Sequence, residues 1–169
     1  MDLKKELLKE RSIRQTHKIT DYVGDSPTRF KVLIDLFLSD SYRVAQRAAW
    51  PLMYCCEAHP SLVIPYLPKL LKMLPRPDVD DTLKRNIIRS LQFMEIPKKH
   101  QGVVAECCFT FLADPKVAIA IRVFSMTVLA NLAEVQLDLR KELKIIIEDQ
   151  MPYGTAAFRS RGRKILKWL

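Results

Sequence analysis

The sequence predicts an all-α protein, a right-handed α-α superhelix with about four helix pairs and an N-terminal helix. A turn recurs about every 34–40 residues, a period typical of helical solenoids. Each turn is followed, seven or eight positions later, by an arginine in the next helix. No run alternates apolar and polar residues for long enough to predict a sheet. The turns are Asp40, Asp80-Asp81, Asp114-Pro115 and residues 152–154, and the arginines are Arg47, Arg89, Arg122 and Arg161.

The N-terminal segment, residues 1–26, is predicted to form one capping helix from about residue 2 to residue 23. Its apolar residues have helical spacing, and Gly24 is a suitable C-cap. Ser26-Pro27 then provides an N-cap and a first-turn proline for the first helix pair, residues 27–58. The second helix of this pair, from about residue 41, contains Pro51 in its interior.

The second pair, residues 60–96, begins with the string SLVIPYLPKLLKML. Because proline disrupts a helix interior, Pro65 and Pro68 predict a helix that is bent or that starts late. The second helix of this pair is predicted from Asp81 to about residue 95.

The third and fourth pairs occupy residues 98–134 and 136–169. In the third, Val104, Cys108 and Phe111 belong to one apolar stripe, and the second helix, residues 115–134, is apolar nearly all round. That composition predicts a helix covered on both sides. The whole chain, residues 1–169, is therefore predicted to be a single repeat domain.

The string at residues 61–74, followed by an Asp turn and an Arg-bearing helix, resembles a HEAT repeat. The resemblance covers residues 27–169, extends more loosely to armadillo-type repeats, and includes small uncharacterised bacterial HEAT-like proteins. It implies a short α solenoid whose second helices line a concave binding surface. Two departures, Pro51 and the absence of an acidic residue at the fourth turn, place the register of individual repeats in question by a few residues.

Composition argues against membrane and metal functions. The chain opens with charged residues, and its longest uncharged apolar stretch, residues 123–133, is too short to span a bilayer. The four cysteines form two adjacent pairs, Cys55-Cys56 and Cys107-Cys108, whose spacing matches no metal motif. We expect them to be reduced packing residues of a cytoplasmic protein.

Nothing in the sequence points to catalysis. The three histidines, His17, His59 and His100, are far apart, and no Gly-rich phosphate loop is present. We therefore expect a non-enzymatic protein without a cofactor, a metal or a small-molecule substrate.

The positive charge is concentrated on the second helices. Formal net charge is +9, and the second helices carry twelve basic and four acidic residues, against sixteen and fifteen elsewhere. This distribution predicts a basic concave face that binds a partner. Five of the twelve lie on the last helix, where they could instead keep a capping repeat soluble. The candidate contact residues are Arg43, Arg47, Lys84, Arg85, Arg89, Arg122, Arg159, Arg161, Arg163 and Lys164.

The recurring arginines have two interpretations. In HEAT-type stacks such arginines often pair with the Asp of a neighbouring turn, which would make Arg47, Arg89 and Arg122 a structural ladder. The alternative is direct contact with a ligand, and the sequence leaves both open.

The charge pattern favours a scaffold that binds an acidic protein segment. The alternative is nucleic acid, bound through the duplex backbone because few aromatic residues besides Trp50 are available for base stacking. A third class, the HEAT-like DNA glycosylases, needs a carboxylate among aromatic residues. This class is disfavoured because the interiors of the second helices contain no Asp or Glu and the chain is short.

Overall fold

The computed structural model describes residues 1–169 as ten α-helices without strands, and 75% of the chain is helical. The predicted all-α fold is therefore confirmed. No helix is both long enough and apolar enough to cross a membrane. The helices are α1 (Leu3–Lys9), α2 (Ile13–Val23), α3 (Pro27–Phe37), α4 (Tyr42–Ala58), α5 (Leu67–Met73), α6 (Asp81–Leu91), α7 (Lys98–Ala113), α8 (Ile119–Val135), α9 (Leu139–Gln150) and α10 (Ala156–Leu166).

The chain divides into two compact units, residues 1–70 and residues 71–169. In the first unit α3 packs against α4, and α1 and α2 also pack against α4. The side chains of Phe30, Leu33 and Phe37 on α3 are fully buried there. A single repeat domain over the whole chain stays a prediction.

The prediction of one helix over residues 2–23 is wrong, because the chain breaks between α1 and α2. Glu10 is extended, and the Ser12 side chain accepts a hydrogen bond from the Gln15 amide at 3.0 Å, which caps the start of α2. The Gln15 side chain then donates to the Glu6 carbonyl at 2.8 Å and joins the two helices. Leu7 and Ile19 are buried, so both helices pack within the first unit.

Prolines determine how the chain leaves α4. Pro51 lies buried inside α4, which continues through it to Ala58. Two short 3₁₀ turns, Pro60–Leu62 and Ile64–Tyr66, follow, and α5 begins only at Leu67. The expected late start of this helix is confirmed, because Pro65 lies in a 3₁₀ turn and Pro68 lies in the first turn of α5.

The second unit is organised around α8. This helix packs against α6, α7, α9 and α10. Met126, Val128 and Leu129 are fully buried, as expected for a helix covered on several sides. It begins at Ile119 rather than at residue 115, because the Asp114 side chain accepts a hydrogen bond from the Lys116 amide at 2.8 Å within the preceding turn.

The last helix lies very close to α9. A Cβ atom added to Gly162 of α10 would lie 2.8 Å from the sulfur of Met151 and 3.0 Å from a methyl carbon of Ile147. Glycine therefore allows α10 to approach α9 closely, and Phe158 beside it is fully buried.

Candidate partner-binding face

Three second helices of the second unit, α6, α8 and α10, lie side by side with α8 in the middle. The Arg89 guanidinium lies over the Phe124 ring, 5.7 Å from its centroid. The Asn131 side-chain amide donates to the Gln92 carbonyl at 3.1 Å. On the other side of α8, Arg161 donates to the Thr127 hydroxyl. Through these contacts, α6 and α10 both approach α8 next to its exposed side.

On the exposed side of α8, the acidic Glu134 lies near the C-terminal end, and four uncharged side chains before it form a row, here called the central row. They are at least partly exposed and are spaced by four, three and four residues, which places them on one face of the helix. The row consists of Ala120, Phe124, Thr127 and Asn131.

Positive side chains from the two neighbouring helices flank the central row. On α6, Arg85 lies one turn before Arg89, and on α10 Lys164 lies about one turn after Arg161. Lys164 is exposed and the three arginines are half-buried. We call Arg85, Arg89, Arg161 and Lys164, together with the central row, the basic face.

The positive charges of the basic face have no carboxylate partners. The structure contains five ion pairs, and all of them use basic residues outside the second helices. Those basic residues are Lys5, Lys18, Lys31, Arg76 and Lys144. The four cations of the basic face therefore form no ion pair within their own chain.

Four of the predicted contact residues in the second unit lie away from the basic face. Arg159 and Arg163 are exposed, but at 100° per residue each lies about 160° around α10 from Arg161. Lys84 is half-buried and lies about 100° from Arg85 on α6. Arg122 is buried, with 8% of its surface exposed.

In the first unit, α4 carries a separate row that combines cations and aromatic rings. Arg43 is exposed, and Arg47, Trp50 and Tyr54 follow on the same face, each half-buried. The Arg47 Nη1 atom is buried without a hydrogen-bond acceptor. The Arg11 guanidinium lies 5.6 Å from the Trp50 ring centroid. Arg11 is absent from the predicted set, because it precedes α2 and that set contains only residues of the second helices.

The second unit contains no Asp–Arg ladder. The Asp114 side chain caps its own turn, and no ion pair joins Asp81 or Asp114 to Arg89 or Arg122. Arg89 contacts Phe124 instead. In this unit Arg89, Arg122 and Arg161 therefore connect neighbouring helices through neutral groups.

Arg122 is the most enclosed of these arginines. Its Nε donates to the Leu112 carbonyl at 3.3 Å, and Nη2 donates to the Gln150 side-chain oxygen. The guanidinium carbon lies 5.0 Å from the Phe158 ring centroid. Burial lowers the pKa of Arg122, and the negative charge of Asp114 opposes that shift.

The four cysteines form no disulfide, and three of them are buried in the packed interior as predicted. Burial raises the pKa of Cys55 and of Cys108 to about 12, so both remain neutral thiols at physiological pH. Cys107 is half-buried. No group of three or more His, Cys, Asp or Glu side chains has an arrangement that could hold a metal ion.

These features define a helical repeat protein, in which paired helices stack and their second helices share a face. The chain matches the model of the HEAT repeat domain over residues 3–169, and it belongs to that family. Comparisons with the curated proteins and with the solved structures gave no significant match. HEAT repeats generally mediate protein interactions, and the family is typically a non-enzymatic scaffold.

Proposed function

We propose that this chain is a non-enzymatic interaction module whose basic face binds an acidic segment of a partner protein. The supporting observation is that Arg85, Arg89, Arg161 and Lys164 lie together around the central row, and none of them takes part in the five ion pairs of the chain. Clustered positive charges without ion pairs attract an oppositely charged partner and orient it.

The arrangement of the face favours a protein segment over a nucleic-acid duplex. The central row between the two cationic helices is uncharged and offers the Phe124 ring, the Thr127 hydroxyl and the Asn131 side chain. Main-chain and apolar groups of a peptide suit such a row. Binding to a duplex backbone depends instead on neutralising successive phosphates.

The spacing of the helices suggests the form of the segment. Neighbouring packed helices lie about 8–10 Å apart, so α6 and α10 are separated by about 16–20 Å. An extended chain advances about 3.3 Å per residue. We therefore expect two acidic positions about five or six residues apart, one facing Arg85 and Arg89 and the other facing Arg161 and Lys164.

The test removes three charges from the basic face by Arg85→Gln, Arg89→Gln and Lys164→Gln. The control removes three charges from first helices by Lys98→Gln, Lys99→Gln and Lys141→Gln, at exposed residues without ion pairs. Fluorescence anisotropy measures the binding of a labelled oligo-glutamate peptide to each protein. Three surface charge contacts contribute together about 1–2 kcal/mol, so the face variant should bind about tenfold more weakly.

The control variant should keep its affinity within about twofold, because long-range attraction alone is screened by salt. Equal weakening of both variants would overturn the proposal, since it would show attraction to net charge without a defined site. Titration with a labelled DNA duplex at low and high salt provides the second arm. Tighter binding to the duplex, with loss of affinity in the face variant alone, would reassign the face to nucleic acid.

We also propose a cytoplasmic location. The supporting observation is that the four cysteines form no disulfide, because reducing compartments keep cysteines in the thiol form.

A further inference from the structure

Arg122 is a buried cation that lacks a counter-ion. It is 8% exposed, and no carboxylate lies within 4.0 Å of its guanidinium. Burying an unpaired charge is costly, so such a group is normally paired. Asp114, the nearest acidic residue along the chain, caps its own turn through one carboxylate oxygen and acts on Arg122 only through its charge, without an ion pair.

The partners that Arg122 does have are neutral, and they occupy only part of its hydrogen-bonding capacity. A guanidinium has five N–H donors. The structure uses Nε and Nη2, which donate to Leu112 and Gln150, and shows no hydrogen bond from Nη1. The Phe158 ring offers its face to the cation but accepts no full charge.

A cleft of about 350 Å³ opens directly at this guanidinium. It lies where the turn between α7 and α8 meets the end of α9 and the start of the next turn. The Gln150 side chain fixes this geometry, because its amide donates to the Ala113 carbonyl at 3.1 Å while its oxygen accepts from Arg122. The cleft is also lined by Pro115, Asp149 and Tyr153, and the Tyr153 side chain is 91% exposed.

We propose that this cleft binds a carboxylate group, which pairs with the guanidinium of Arg122. A planar carboxylate matches the fork of a guanidinium, and the pair is strong where water is partly excluded. A phosphate dianion is disfavoured, because Arg122 is the one cation in the lining and Asp149 would repel two charges instead of one.

The proposal does not depend on the basic face. The cleft lies at the turns beside α8, and none of its lining residues belongs to that face. Two sources can supply the carboxylate, an acidic side chain of a bound polypeptide and a small free acid, and the probes below separate them.

The test titrates the full chain with N-acetyl-glutamate amide, which mimics an acidic side chain, and with acetate as a free acid. The readout is the ¹H–¹⁵N resonance of the Arg122 Nε–H group. N-acetyl-glutamine amide is the neutral control of the same shape. We expect the glutamate compound to shift this resonance and to bind at least about tenfold more tightly than the glutamine compound. Stronger binding of the glutamate compound than of acetate assigns the cleft to polypeptides, and equal binding assigns it to small acids.

Two exposed lining residues test the cleft without removing Arg122. Ala113→Leu fills the cleft and should weaken binding at least about tenfold, since the ligand and the added side chain compete for the same space. Asp149→Asn removes a like charge and should strengthen binding about threefold. Glu142→Gln makes the same change of charge two turns earlier on α9 and should have a smaller effect.

The proposal is overturned if neither acid shifts the Arg122 resonance, or if the glutamine compound binds as well as the glutamate compound. It is also overturned if Ala113→Leu binds like the unmodified chain. The triple variant of the basic face should retain this binding. A negative result for the cleft would therefore not contradict the proposed function of the basic face. A negative result for the basic face would likewise not contradict binding in the cleft.

Discussion

The contact between Arg89 and Phe124 joins α6 to α8 in the middle of the basic face. A cation 5.7 Å from a ring centroid is within the range in which the ring quadrupole attracts it. Both side chains are half-buried, so the attraction is only partly screened by water. The same guanidinium keeps its charge available at the surface, which makes Arg89 both a packing residue and a candidate contact residue.

We expect a double-mutant cycle to detect this contact. Arg89→Ala, Phe124→Ala and the double variant should give a coupling free energy of about 0.5–1 kcal/mol in urea unfolding, because the cation–ring attraction exists only when both side chains are present. Arg85→Ala combined with Phe124→Ala is the control, and its coupling should be smaller than about 0.3 kcal/mol. A coupling near zero for the Arg89 cycle would show that the two groups are merely adjacent.

Arg89 and Arg122 show which properties of a single residue the sequence predicts and which it does not. Both follow an acidic turn by eight positions, and the sequence assigned them to the same face. Their difference in burial arises from distant residues, since Gln150 and Phe158 enclose Arg122. The spacing predicted which helix carries each arginine, but it contained no information about which later side chains would cover it.

At the scale of the element, most helices could be predicted because their boundaries depend on local chemistry. Pro65 and Pro68 forced the late start of α5, and Ser26-Pro27 gave the start of α3. The break between α1 and α2 also has a local signal, since Ser12 followed by Gln15 is a capping-box pattern. Apolar residues with helical spacing continue on both sides of this signal, and their pattern predicts one unbroken helix.

The two helical glycines of the second unit should respond oppositely to added side-chain atoms. Gly162→Leu places atoms where Met151 and Ile147 already lie, and overpacking of this kind costs about 1–3 kcal/mol of unfolding free energy. Gly102→Ala on α7 meets nothing within 4 Å and should stabilise the chain by about 0.5–1 kcal/mol, because glycine is a poor helix former.

Urea unfolding of both variants and of the unmodified chain measures these changes. Gly162→Ala is the graded control, and its stability should lie between those of Gly162→Leu and Gly102→Ala, since one methyl group displaces the flexible Met151 side chain and presses on the methyl group of Ile147 by only a few tenths of an ångström. A Gly162→Leu variant as stable as the unmodified chain would mean that α10 does not approach α9 as closely as the structure shows.

At the scale of the whole molecule, the charge distribution is the feature that links sequence to function. The chain has a formal net charge of +9, and its five ion pairs lie outside the second helices. The count of charges per helix could be made from sequence alone. The sequence alone could not show which of these charges lie on the basic face and which lie on the far side of α10, because that depends on the contact between Arg161 and Thr127.

Clustered, unpaired cations should also repel one another within the folded chain. A compact state with a large net charge is destabilised by self-repulsion, and salt screens that repulsion, with a Debye length of about 8 Å at physiological ionic strength. We therefore expect the melting temperature of the unmodified chain to rise as sodium chloride is increased from low to physiological concentration. This rise in melting temperature should be the same at every pH within the neutral range, because lysine and arginine stay charged there.

The two triple variants separate clustering from net charge in that same measurement. Both lower the formal net charge by three, but Arg85→Gln, Arg89→Gln and Lys164→Gln remove cations that lie around one row of α8, whereas the control removes cations from α7 and α9. Repulsion falls with distance, so the melting temperature of the face variant should respond less to salt than that of the control. The response to salt is compared instead of the absolute melting temperature, because Arg89→Gln also removes the stabilising contact with Phe124. Differential scanning calorimetry at several salt concentrations measures this response. Identical salt responses in the two variants would mean that the cations of the basic face do not act on one another, and the face would then lack the electrostatic concentration on which partner binding depends.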